Sequence, residues 1–109
     1  MLIAVASKDG KAINQHFGHA ERFLIYEVGG AEPKLVDERK VTRYCSPEPD
    51  HSLRADVLKE IATNLTGCRA VVCSQIGPAP QAELERFGID AFVAEGPIKP
   101  TVAELVKLL

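Results

Sequence analysis

Two uncharged runs, LIAVAS at Leu2–Ser7 and AVVCS at Ala70–Ser74, constrain the fold of this chain more than any other feature. A strand with one face in water alternates polar and apolar residues. These runs do not alternate, so each needs a covering layer on both sides. Between them Val57, Leu58, Ile61, Ala62 and Leu65 recur at helical spacing, and Gly67 follows where a left-handed turn closes a helix. Strand, helix and strand in that order predict parallel pairing through a right-handed crossover. Earlier, RFLIYEV at Arg22–Val28 ends at Gly29-Gly30, and the more polar KLVDERKV begins just after Pro33. That pair reads as an antiparallel hairpin whose second strand lies at an edge. Later, GPAPQAELERFG reads as a short helix with Pro near its start and Gly88 at its end, and IDAFVA as a last strand. Thr101 and Glu104 form a candidate capping box for a final helix with Val102, Leu105, Val106 and Leu109 on one face. The order β-β-β-α-β-α-β-α predicts an α/β fold in three layers, α/β/α. Its five-stranded mixed sheet would have order 3-2-1-4-5 with only the second strand reversed, a ribonuclease H-like arrangement.

A length of 109 residues suits one domain, 1–109, and leaves no room for a second. Apolar residues at 46% and charged residues at 26% are those of a globular protein. No run reaches the length of a membrane span, and MLIAVASKDG lacks the basic flank and long apolar core of a secretion signal. The expected location is therefore cytoplasmic, without a membrane partner. Three cysteines in such a chain predict free thiols rather than a disulfide framework. A net charge of −2 argues against a nucleic-acid partner.

In the expected topology the first, third and fourth strands end on one rim, where open α/β sheets bind ligands. The loops there carry all three histidines, His16, His19 and His51, together with Cys45 and the turn SQIGPAP. Histidine and cysteine suit iron, zinc and iron–sulfur centres, but Cys-x-x-Cys and His-Glu-x-x-His spacings are absent, which argues against a closed structural zinc site. In NQHFGHA, Gly18 permits unusual backbone and close approach of a bulky ligand, and Phe17 is either an apolar lid over that ligand or a plug over the core. Gly10 and Gly18 bracket a loop long enough to close. Cys68 and Cys73 are an odd interval apart, so a regular strand through both would point them to opposite faces, and neither enters the site. Lys8, Lys11, Arg22 and Arg43 near the rim favour an anion, blunted by Asp9, Glu21, Glu48 and Asp50. The two central runs hold no carboxylates for metal-dependent nuclease chemistry, and a P-loop, a dinucleotide fingerprint and a nucleophile elbow are missing. No enzymatic activity is expected.

The segments IAVASKDGKAINQHFGHAERFLIYEV, RKVTRYC and CRAVVCSQIGPAPQAELERFGID together resemble the dinitrogenase iron–molybdenum cofactor biosynthesis family, which includes NifX, the NafY core and the NifB C-terminal domain. The resemblance spans essentially the whole chain. It implies the same ribonuclease H-like fold and the binding of iron–molybdenum cofactor, or of its iron–sulfur precursor cluster, as transient cargo during nitrogenase assembly. It implies no reaction by the domain itself. His16 and His19 are then the leading cluster contacts, Cys45 and His51 the weaker ones, with Phe17 and Gly18 completing the turn. Nitrogenase assembly proteins would be the partners. The radical-chemistry pattern Cys-x-x-x-Cys-x-x-Cys of the family's synthases is absent from these residues. Two other readings use the same residues: a regulatory domain that docks on a metalloprotein assembly partner without a cluster, and a mononuclear metal binder built on His16, His19 and His51.

Overall fold

The computed structural model describes residues 1–29, 32–41 and 51–109, with side chains from Val57 onward in the last stretch. Strands β1 (Leu2–Val5), β3 (Arg22–Glu27), β4 (Lys34–Lys40), β5 (Cys68–Cys73) and β6 (Asp90–Val93) form one mixed sheet. Its order is β4-β3-β1-β5-β6. β3 is antiparallel to both neighbours, while β1, β5 and β6 pair in parallel. Helices α1 (His51–Asn64), α2 (Pro78–Arg86) and α3 (Ile98–Val106) complete the main frame.

The period of two along each strand sorts the core into two layers. Ala4, Ala6, Phe23, Ile25, Val71 and Cys73 pack with Leu58, Ile61 and Leu65 of α1 and its end, and with Leu84 of α2. The alternate residues Ile3, Val5, Leu24, Tyr26, Ala70 and Val72 pack with Ile98, Val102 and Leu105 of α3. The uncharged sequence of β1 follows from this position, covered above and below. β4, at the sheet edge, is exposed almost throughout and carries charges that discourage further pairing. Among the described residues no helix is long and apolar enough to cross a membrane.

Two local expectations are corrected. Cys68 and Cys73 are both buried in the cluster under α1 and α2 rather than facing opposite ways. The cause is an irregular register: Leu2 pairs with Cys68 but Ile3 with Ala70, so Arg69 is an extra residue that flips the parity of β5. The final helix begins at Ile98, with Pro97 at its cap and no capping side chain, so Thr101 lies inside it and forms no capping box. Its start is set from outside, because the Ile98 amide donates to the Lys11 carbonyl at 3.1 Å. Pro100 then falls in the first turn, where a missing N–H costs nothing. That bond continues a two-residue ladder between β2 (Ala12–Ile13) and β7 (Gly96–Pro97), too short to leave a periodic signal in the sequence.

Arg39 ties the edge strand to the helical layer. Its Nη1 donates to the carbonyls of Asn64 at 2.9 Å and Thr66 at 3.0 Å, closing the end of α1. Replacing it with Met keeps the aliphatic stem but leaves those carbonyls without their donor, and should lower unfolding free energy by about 1–2 kcal/mol. Urea denaturation of Arg39→Met checks this, and an unchanged midpoint would show that solvent serves the carbonyls equally well.

Candidate functional site

The loop after β1 is shaped by its own polar side chains. The Ser7 hydroxyl accepts from the Gly10 amide at 2.9 Å, and Gly10 supplies the positive φ of +76° that the turn needs. Asp9 Oδ1 accepts from the amides of Lys11 at 2.9 Å and Ala12 at 3.2 Å, and these bonds hold its carboxyl below the usual range. Asn14 Oδ1 accepts from the Lys8 amide at 2.8 Å. With the β2–β7 ladder, these bonds fasten the segment expected to close as a lid.

The next residues are fastened to the end of β5. His16 and Gln75 form a parallel bridge, flanked by Ser74 N–H to Gln15 O at 3.0 Å and Phe17 N–H to Gln75 O at 2.8 Å. Phe17 then turns inward, 1% exposed, with its ring 5.7 Å from that of Phe23. It is a plug in the core and not a lid. Phe17–His19 form a single 3-10 turn closed by His19 N–H to His16 O at 3.1 Å. Residues three apart eclipse one another in that geometry. The two imidazoles accordingly stack, with centroids 5.3 Å apart and planes 17° from parallel, both exposed to solvent. Gly18 lies within this right-handed turn, so its small size is what it contributes.

The stacked pair opens on a cavity of about 200 Å³ whose other walls are Gly18, Gln75, Ile76, Gly77 and Pro80. His19 also borders a larger groove of about 860 Å³, where Lys8, Arg22 and Lys40 stand among Glu21 and Glu38. Arg22 and Glu38 pair at 3.2 Å. The structure therefore brings together His16, Gly18 and His19 of the expected site and places Phe17 beneath them. Cys45 lies outside the described residues, as do Arg43, Glu48 and Asp50. His51 is the first residue of α1, and its side chain is not among those described. Among the described residues no group of three or more His, Cys, Asp or Glu is placed to hold a metal ion. Gln75, Ile76 and Pro80 were not singled out from the sequence, although the turn that holds them falls on the expected rim.

Under the bridge lies Cys73. Burial pushes its thiol up to about 11, although the backbone amides of Gln75 and Phe17 face its sulfur and favour the thiolate. Burial also raises Cys68, against the opposing influence of the Arg39 guanidinium.

The family model described as dinitrogenase iron–molybdenum cofactor matches residues 1–108. The chain belongs to that family. Among its curated relatives, the FeMo cofactor biosynthesis protein NifB of Frankia alni is 42% identical over 105 residues, which cover 96% of this chain and 21% of that protein. The Azotobacter vinelandii protein of the same name is 40% identical over 89 residues, 82% of this chain and 18% of its own length. The chain thus spans about a fifth of the curated relatives it matches. A similar fold is seen in the crystal structure of PH0822, with a TM-score of 0.69 at 18% identity over 98% of this chain and 91% of that one. The NMR structure of TM1290 from Thermotoga gives a TM-score of 0.61 at 15% identity, over 97% and 87% of the two chains.

The buried thiol of this family member makes a testable pH signature. Burial raises the Cys73 thiol from an ordinary value of 9.0 to about 11 in the fold, so its contribution to stability is complete below pH 9 and lost as pH rises towards 11. Denaturant midpoints of the wild type should fall more steeply over that interval than those of Cys73→Val, which cannot ionise. Equal slopes would contradict a buried neutral thiol.

Proposed function

We propose that this domain holds iron–molybdenum cofactor or its iron–sulfur precursor as transient cargo, with His16 and His19 as contacts, and carries out no reaction of its own. The sheet is read here as ribonuclease H-like, with the cargo at the rim where β1 and β5 end. The observation that carries the proposal is the stacked, exposed His16–His19 pair held on a fastened turn above a cavity. Family membership supports the cargo's identity.

The donor set favours this reading over a mononuclear metal site. A bare ion needs most of its coordination shell from protein, whereas a preassembled cluster brings its own sulfides and needs few protein ligands. Two imidazoles on one turn suit such a cluster, since few ligands also allow release. Lys8, Arg22 and Lys40 in the adjoining groove add positive charge on the approach of an anionic cluster, offset in part by Glu21 and Glu38. Assembly proteins that give or receive the cluster are the proposed partners.

Anaerobic titration with the cofactor and with its precursor, followed by gel filtration and iron analysis, tests the proposal. The wild type should retain one cluster per chain. Losing an outer partner of a metal ligand typically costs about 10–100-fold in affinity, so removing both contacts in a His16→Ala, His19→Ala variant should cost at least that. A wild type that retains no iron would favour the docking domain that binds no cluster.

A further inference from the structure

We propose that the side chain of Gln75 is a third contact for this cargo, donating a hydrogen bond to a sulfide and biasing the site towards a soft, sulfide-faced ligand over a hard oxyanion. The inference rests on the cargo-binding reading above.

The placement follows from backbone pairing. Residues opposite one another in a parallel bridge present their side chains to the same face, on strands about 5 Å apart. His16 and Gln75 are such a pair, and both line the small cavity. The backbone of Gln75 is committed to holding the histidine turn, since its carbonyl accepts from Phe17. Its side chain is exposed and has no hydrogen-bond partner among the described residues. A carboxamide therefore stands free beside the imidazole of His16.

The remaining walls show which acceptor that carboxamide suits. Helix N-termini bind phosphate through several unpaired backbone N–H groups. Here α2 begins with Pro78, Ala79 and Pro80 after its cap, Gly77, so two of its first three positions have no N–H at all. The helix end faces the cavity with Gly77 and the ring of Pro80, beside Ile76. A hard, strongly hydrated anion would lose its water there without enough donors in return. Bridging sulfides of a cluster are weakly hydrated, accept hydrogen bonds from neutral donors, and have their redox potential raised by them. His16, His19 and Gln75 supply the polar contacts of an otherwise apolar cavity, the combination such a sulfide face requires.

The test uses a chemically prepared four-iron, four-sulfur cluster with exchangeable thiolates, titrated anaerobically into wild type, Gln75→Met, Gln75→Glu and His16→Ala. Loss of one net hydrogen bond predicts about three- to tenfold weaker uptake by Gln75→Met. Gln75→Glu should weaken uptake further, because a carboxylate offers no donor and adds negative charge. The cluster bound to Gln75→Met should have a more negative reduction potential than in wild type, a shift that a merely structural role would not produce. Thermal unfolding of both variants should match wild type, since the bridge uses only the backbone of Gln75. Inorganic phosphate should not displace the cluster. If His16→Ala is weakened while both Gln75 variants bind with wild-type affinity and potential, the role of Gln75 is refuted and the cargo reading stands. Displacement by phosphate would overturn the selectivity, and a wild type that takes up no cluster would overturn both proposals together.

Discussion

The burial of Phe17 is the constraint on which the rest of the site depends. Its ring belongs to the apolar layer beneath α1 and α2, packed beside the ring of Phe23. With Phe17 fixed inward at the start of a 3-10 turn, the residue before it and the second residue after it are directed to solvent on one side. Core packing thus aims His16 and His19. The bridge to Gln75 fixes the same turn to the end of β5, so two independent anchors hold the imidazoles in place before any ligand arrives. Preorganisation of this kind lowers the ordering cost of binding without adding ligands.

The proposed carrier role has two tasks to reconcile, holding the cargo and releasing it. A four-cysteine cage would hold an iron–sulfur cluster firmly and release it reluctantly. The described residues offer no such set, and both described thiols are buried and pushed towards their neutral forms. In the proposed carrier role, two exposed imidazoles would make a weaker, reversible attachment, and the cavity wall of Ile76 and Pro80 would shield part of the cargo from water. The charged groove on the other side of His19 mixes signs, so its charges largely cancel at a distance and do not make a site for tight anion capture.

Much of this was legible in the sequence, because burial on both faces of a strand leaves a strong local mark. The runs around β1 and β5, the polar edge strand β4 and the glycines that close α1 and α2 each carry their own signal, as do the histidines on the rim. The missed features depend on partners distant in sequence. The parity of β5 changed because of one extra residue, Arg69, opposite β1. The start of α3 is set by a bond to Lys11, and Gln75 entered the site only because its backbone pairs with His16. Phe17 read equally well as lid or plug, since the sequence shows an aromatic residue beside glycine without showing the space beneath it.

The most direct measurement is pulsed electron paramagnetic resonance of the reduced, cluster-loaded protein, prepared once with natural-abundance histidine and once with histidine labelled by nitrogen-15. The account predicts nitrogen couplings of an imidazole bound to the cluster, altered by the label and abolished when both His16 and His19 are replaced. Couplings that are absent in the wild type, or that persist in the double variant, would show that the cluster is held elsewhere and that the stacked histidines are surface residues of the turn.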